Sequence, residues 1–275
     1  MLERKNDAFL YRFDNCNKDW KQDFLLISDV HWDSILCDRR LLFKHLNEAK
    51  ERDARILIFG DFFDVMGGKH DPRTTKADIR PEYSTQHYFQ DVIMDAGAQL
   101  KPYKHLIDMI SEGSHETNVK LRHEVDLLSE HLGLCMLLKC KKGKHNGFIR
   151  FRFNNNNSDN LSKTMYYTHG GGGNAPVTRG TIKTNRRQEA IRADWFVSGH
   201  IHTEFEMPRT QASINQQLNL IISKIYHWQL GAYKNEFLEG GWADHKEFSP
   251  ANLGGRWLEL SGNCSNLKVK SYLTN

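Results

Sequence analysis

The stretch Asp23-Phe24-Leu25-Leu26-Ile27-Ser28-Asp29-Val30-His31-Trp32-Asp33 decides the reading of this chain. Phe24-Leu25-Leu26-Ile27 is a short apolar run, the pattern of a strand buried on both faces. Directly after it stand Asp29 and His31. Alternate residues at a strand end point the same way, so a carboxylate and an imidazole can converge there on one ion. The pair is a mixed oxygen and nitrogen donor set, suited to zinc, manganese or iron. Alone, Asp-x-His is a weak signal and reads equally as a capped strand end with a solvated histidine.

The rest of the chain repeats the pattern. Arg55-Ile56-Leu57-Ile58-Phe59 ends in Gly60-Asp61-Phe62-Phe63-Asp64. The run 106–110 ends in Gly113-Ser114-His115-Glu116. Met165-Tyr166-Tyr167 ends in Thr168-His169-Gly170, and Trp195-Phe196-Val197 ends in Gly199-His200-Ile201-His202. One such ending is noise, whereas a series of them marks a site.

In this order the motifs resemble those of the calcineurin-like metallophosphoesterase superfamily, of the stand-alone phage and bacterial type. They run from Asp29 to His202, about two thirds of the chain. The resemblance implies a four-layer α-β-β-α sandwich, two mixed β-sheets flanked by helices. It implies two divalent metal ions, manganese first, with iron, nickel or zinc as alternatives. Asp29, His31, Asp61 and His202 would hold the first ion, with Asp61 bridging. His169, His200 and position 114 would complete the second. A hydroxide held between the ions would attack phosphorus. His115, held in position by Asp64, would protonate the leaving oxygen. Asp33, Glu116, His70, His87, His123 and His131 read as structural or solvated.

One position departs from the family pattern, which has Asn where this chain has Ser114. A serine hydroxyl is set further back than an amide oxygen, so the second ion is expected to be the weaker one. Three readings of Ser114 stand: a natural variant with a labile second ion, an engineered substitution that slows turnover, or a protein that has lost catalysis. The implied function is metal-dependent hydrolysis of a phosphate ester, a phosphodiester ahead of a monoester. A nuclease acting on DNA or RNA is the alternative enzyme, and a non-catalytic binding module that keeps the fold is the alternative of another class.

Composition fits one enzyme domain over residues 1–275. Motifs spread from Asp29 to His202 must meet in one place, and 39% hydrophobic residues supply a sizeable core. A net charge of +4 suits a phosphate-bearing substrate without demanding nucleic acid. The five cysteines are odd in number and form no Cys-x-x-Cys, which points to a reduced, cytoplasmic setting. No apolar stretch of about 18 residues is present, so no membrane partner is expected. Nothing in the sequence bears on oligomeric state.

Along the chain, residues 1–22 read as an arm or edge strand. Leu42, Leu46 and Ala49 predict a helix over 39–52. Residues 67–81 read as a loop at the rim of the site, making Arg73, Lys76 and Arg80 candidates for substrate phosphate. Ser84 is expected to cap a helix reaching Pro102, and Asn118 a second helix over 119–132 with Leu121, Val125, Leu128 and Leu132 as its buried stripe. Residues 134–141 and 148–153 read as a hairpin. Four glycines, 170–173, follow His169 directly. Residues 178–192 carry Arg186 and Arg187, further candidates for substrate binding, and lead into the Trp195 strand. A strand is expected within 218–228, a loop near the site over 231–255, and closing strands at 257–260 and 267–273.

Overall fold

The computed structural model describes residues 2–65, 78–155, 159–172, 178, 180–237 and 252–275. It contains two mixed β-sheets of seven and six strands and five α-helices. The six-stranded sheet is built from β3 (Lys21–Ile27), β4 (Arg55–Phe59), β5 (Ile107–Ser111), β6 (Lys141–Gly143), β12 (Arg256–Asn263) and β13 (Asn266–Leu273), in the order β13-β12-β3-β4-β5-β6. Strands β3 to β6 run parallel, and β12 and β13 are antiparallel additions at one side. The seven-stranded sheet contains β1 (Glu3–Lys5), β2 (Ala8–Phe13), β7 (Asn146–Asn155), β8 (Asp159–Thr168), β9 (Trp195–Ser198), β10 (Phe205–Ile214) and β11 (Leu220–Gln229). Its order is β1-β2-β7-β8-β9-β11-β10.

The sheets face each other across one core. Phe24, Leu26, Leu57, Phe59, Met109 and Leu258 from one side meet Tyr11, Phe151, Met165, Trp195, Val197 and Trp228 from the other. The opposite side chains of β3, β4 and β5, including Leu25, Ile27, Ile56, Ile58 and Ile110, pack under helices. These helices are α1 (Arg39–Glu51), α2 (Tyr88–Leu100) and α4 (Leu134–Leu138). Both faces of these strands are therefore buried, as continuous apolar runs require. Helix α5 (Thr181–Ala190) leads to the outer face of the seven-stranded sheet, where Ile191 and Ala193 join Phe196 and Ile225.

Several local expectations are corrected. The predicted stripe of α1 is buried as Leu42, Leu46 and Ala49, and Asp38 accepts from the Leu41 amide to cap it. Ser84, by contrast, ends a 3-10 turn at Pro81–Tyr83, and α2 begins only at Tyr88. The second helix is α3 (Ser114–His123), five residues earlier than its apolar stripe suggested. Glu116 fixes that start by accepting from the Gly113 amide in the manner of a capping box. Leu121 and Leu132 are 83% and 84% exposed, whereas Leu128 is buried and Val125 packs against the core, so only half of the predicted stripe faces inward. Residues 134–138 are helical rather than extended, and β6 pairs with β5 instead of forming a hairpin with β7. A five-residue apolar run cannot tell a buried helical turn from a strand. Of the two expectations for the first residues, the edge strand holds: β1 lies at the edge of the seven-stranded sheet, and β2 lies inside it between β1 and β7. Among the described residues no helix is long and apolar enough to cross a membrane.

Candidate metal centre

All the predicted ligands lie just beyond the carboxyl ends of β3, β4, β5, β8 and β9, where α/β sheets place their sites. After β3 and β4 end, their loops stay zipped together. Asp29 N donates to Gly60 O (3.1 Å), His31 N to Asp61 O (3.1 Å) and Trp32 N to Phe62 O (2.8 Å). The two loops of the other sheet are joined likewise, Gly199 N donating to His169 O (3.1 Å). The Glu116 carboxylate gathers the amides of Asp61, Phe63 and Gly113 at 2.9 to 3.1 Å. Asp33 accepts from the amides of Asp64 and Val65 (2.7 and 2.9 Å). These two acids are the structural supports the sequence suggests.

The backbone here is unusual. Asp29, His31, Asp61, His200 and His202 all have positive φ, between 47° and 78°. Left-handed backbone costs a residue with a Cβ about 1 kcal/mol or more. Its concentration in five of the seven predicted ligands is what a functional constraint on side-chain direction produces. The close approach of neighbours adds a second constraint: a Cβ on Gly113 would stand 2.1 Å from Asp61 Oδ1.

The predicted ligands form two adjoining sets, and a third group, His31, Asp64 and His115, shares His31 with the first. Asp29, His31 and His202 offer ligand atoms all within 4.8 Å of one another, and so do Asp61, His169 and His200. In the first set His31 Nε2 and His202 Nε2 are 3.1 Å apart, and His202 Nε2 is 3.3 Å from Asp29 Oδ1. In the second, His169 Nε2 lies 2.8 Å from Asp61 Oδ2 and 3.2 Å from His200 Nδ1. Ser114 Oγ sits within the second set, 3.2 Å from Asp61 Oδ2 and 3.3 Å from both His169 Nε2 and His200 Nδ1. Each set draws from both sheets.

The donor set fits divalent cations. Asp29 Oδ1 is buried with no hydrogen-bond partner, although His202, His169 and His31 present Nε2 to it at 3.3, 3.9 and 4.0 Å. Electrostatics point the same way. Burial disfavours a charge on His169, yet the Asp61 and Asp29 carboxylates outweigh it and raise its pKa to about 9. His202 rises to about 10, burial being outweighed by Glu236 and Asp29. His200 falls to about 4, through burial and then the neighbouring His169. For Asp29 the histidine charges overcome burial and hold the carboxyl down at about 2. The pocket thus favours positive charge between its carboxylates, whether protons or a metal supply it. Ring orientation is also set from behind: His169 Nδ1 faces Phe59 O (3.1 Å) and His31 Nδ1 faces Asp64 Oδ1 (2.7 Å), which leaves Nε2 of each ring toward the centre.

One assignment is refined. The Asp64 carboxylate lies within 4.8 Å of a His115 ring nitrogen, but it is the Asp64 backbone that holds the ring. The carboxylate contacts His31 Nδ1 and Lys234 Nζ (2.9 Å), while His115 Nδ1 donates to the Asp64 backbone carbonyl oxygen. Asp61 groups with His169 and His200, its Oδ1 accepting from the His115 amide (2.8 Å) and its Oδ2 turned toward His169. Asp29 Oδ1 faces histidines of both sets.

The basic candidates divide. Arg73 and Lys76 lie outside the described residues. Arg80 bonds to the carbonyls of Ser34 and Cys37 and serves the backbone rather than the site. Arg186 is exposed on α5. Arg187, one residue on, is half-buried, and its guanidinium lies 3.7 Å from where a side chain on Gly170 would begin, beside His169. No carboxylate among the described residues pairs with it, and burial lowers its pKa. Residues the sequence did not single out are Lys234, Glu236 and His145. Glu236 Oε2 lies 3.1 Å from His202 Nδ1, and the His145 ring is 5.5 Å from that of His169. The expected proximity of the loop after Gly231 covers the first two, since Tyr233 N donates to Asp29 O; residues 238–251 of that loop lie outside the described residues.

No family model and no curated protein matches the chain. Among solved structures it is similar to a metallophosphoesterase from Sphaerobacter thermophilus, at 11% identity over 92% of this chain and 89% of that one, with a TM-score of 0.38. It is also similar to a predicted phosphoesterase from Streptococcus pneumoniae, at 11% identity over 92% and 99%, TM-score 0.31. A third is Vps29 of Chaetomium thermophilum, at 7% identity over 92% and 97%, TM-score 0.37. At these scores the likenesses carry no weight for the chemistry, which follows from the chain's own residues.

Proposed function

We propose that this protein is a dinuclear metal-dependent phosphoric ester hydrolase acting on a phosphodiester, with manganese as the preferred metal and iron, nickel or zinc as alternatives. The observation that carries the reading is the pair of adjoining sets, Asp29/His31/His202 and Asp61/His169/His200, each mixing carboxylate with imidazole and neither containing a thiolate. Such donors suit borderline divalent ions. Two bound ions would supply an activated water and neutralise charge on the phosphoryl oxygens.

The chain's own groups do the rest. His115, fixed through Nδ1 on the Asp64 carbonyl, turns Nε2 toward Asp61 Oδ2, 3.8 Å away. As an imidazolium it hands that Nε2 proton to the departing alkoxide. Arg187, beside His169 and without a carboxylate partner among the described residues, is suited to hold a phosphoryl oxygen. Arg73, Lys76 and Arg186 are retained as outer contacts with the substrate. All five cysteines are free and buried, which supports a reducing compartment such as the cytoplasm.

The test measures hydrolysis of phosphomonoesters, phosphodiesters and oligonucleotides against free manganese after chelation. Chelator is expected to abolish turnover and manganese to restore it on a diester, in two phases of unequal affinity. Ser114→Asn should tighten the weaker phase and raise the rate about 10- to 100-fold, equivalent to roughly 1.4 to 2.8 kcal/mol of barrier. Full turnover in excess chelator overturns the assignment. Metal binding without turnover of any ester leaves a binding module instead.

A further inference from the structure

The hairpin of β10 and β11 outruns the sheet it belongs to. Strand β11 pairs with β9 only from Tyr226 to Gln229, whereas its pairing with β10 continues to Leu220 and Ile214. The outer half therefore projects as a two-stranded ribbon. Cross-strand register puts Ala212 opposite Ile222 and Ile214 opposite Leu220 on one face. The same alternation continues down β11 through Tyr226 to Trp228, which is buried between the sheets. The inner, core-forming face thus runs on past the end of the core, interrupted by the Thr210–Lys224 pair and apolar again beyond it. There Ile214 is 67% exposed, Leu220 69%, Ile222 58% and the apical Leu218 78%.

The ribbon is ordered at its tip. Asn215 Oδ1 accepts from the amides of Gln217 (3.0 Å) and Asn219 (2.9 Å), and Asn215 N donates to Asn219 O. Leu218 holds a left-handed backbone, φ 61°, where Gly or Asn would be less strained. Its side chain is retained at the apex despite that strain.

Charge sets this edge apart. Exposed strand edges are ordinarily protected by charged residues and proline. Strand β1 consists of Glu3, Arg4 and Lys5, β6 carries Lys141 and Lys142, and β13 carries Lys268 and Lys270. The inner half of β10 conforms, with Glu206, Pro208 and Arg209. From Thr210 to Ser223 there is no charged residue at all, in a chain that is 26% charged. An uncharged ribbon with one apolar face repels no copy of itself and offers no charge for an unlike partner to complement.

We propose that the projecting ribbon is a homodimer interface, in which two copies pack Ile214, Leu218, Leu220 and Ile222 face to face about a two-fold axis. The four side chains leave on the order of 500 Å² of apolar surface per copy, so that two copies remove on the order of 1,000 Å², the lower size limit for a specific interface. A reversible dimer with Kd of about 1 to 100 µM is the corresponding affinity.

Sedimentation velocity of the intact protein over that concentration range is expected to show a monomer–dimer equilibrium. Leu220→Lys with Ile222→Lys should raise Kd at least about 100-fold with an unchanged circular dichroism spectrum, because two charges would be buried without partners. Ser223→Lys, on the opposite face, should leave Kd unaltered. A wild-type protein that stays monomeric throughout, or a dimer that survives the double substitution with its spectrum intact, overturns the proposal. So does a monomer that sediments with phosphatidylglycerol vesicles, which would make the ribbon a membrane contact.

Discussion

His115 is held through Nδ1, so Nε2 is the ring atom that faces Asp61 and the ligand sets. Replacing it with alanine should keep metal affinity and lower the rate by about 10² to 10⁴ on an ester with a poor leaving group. The loss should shrink on a nitrophenyl ester, whose leaving group hardly needs a proton. Equal losses on both substrates would show that His115 is no acid. Asp64 belongs to a different part of the chemistry, since its carboxylate lies between His31 and Lys234. Both partners help to hold that carboxyl well below the ordinary carboxylate range despite its burial. Asp64→Asn is therefore expected to weaken manganese binding about 10- to 100-fold by calorimetry, with the leaving-group dependence unchanged. If Asp64 acted through His115, the variant would instead copy the His115→Ala profile and bind metal normally.

At the scale of elements, the parallel strands deliver the ligands and α5 delivers a cation. Arg187 lies one turn beyond Lys183, whose ammonium bonds to the Gly171 carbonyl. One face of α5 thus covers the glycine loop that follows His169. An arginine that contacts phosphate contributes about 1.5 to 3 kcal/mol. Arg187→Ala should accordingly reduce kcat/KM about 10- to 100-fold, and Arg187→Lys should restore it only in part, because a lysine lacks the two-pronged geometry. A steady-state comparison showing no change in kcat/KM would reduce Arg187 to a packing role.

For the molecule as a whole, the site sits on the seam between the two sheets, and within the seven-stranded sheet a buried chain of hydrogen bonds ties β11 to the end of β9. His227 Nε2 donates to Ser198 Oγ (2.8 Å), Ser198 donates to Gln229 Oε1 (2.7 Å), and Gln229 Nε2 donates to Gly199 O (2.7 Å), next to His200. His227 Nδ1 is buried without a partner, so a proton there would find no acceptor. Burial, and then the charge of Arg187, lower the His227 pKa to about 3. The folded pKa lies below the unfolded value of 6.5, so this histidine stabilises the fold above about pH 6.5. That contribution is lost as pH falls toward 3, by up to about 1.4 kcal/mol per pH unit. Urea unfolding of chelated protein between pH 7 and 4.5 should show a shallower loss for His227→Gln than for the wild type. Parallel pH profiles would mean that His227 does not couple protonation to stability.

How much of this was legible beforehand follows from the range of the interactions. The apolar runs at 24–27, 55–59 and 195–197 are strands because both their faces are buried, a property each run carries in its own composition. The polar residues after them converge because a strand end fixes direction over two or three residues. The α3 start at Ser114 was also locally encoded, in Gly113 and Glu116, although the inward-facing members of the predicted stripe, Val125 and Leu128, lie beyond the end of that helix. Other features depend on pairs far apart in the chain. Asp64 meets Lys234 and His202 meets Glu236 only because the chain after Gly231 returns to the loops of β3 and β4. The exposure of Ile214, Leu220 and Ile222 depends on β9 being too short to accompany β11. No periodicity records such distances, so the order and identity of the candidate ligands were determined by sequence, while their grouping and the projecting ribbon were decided by tertiary structure.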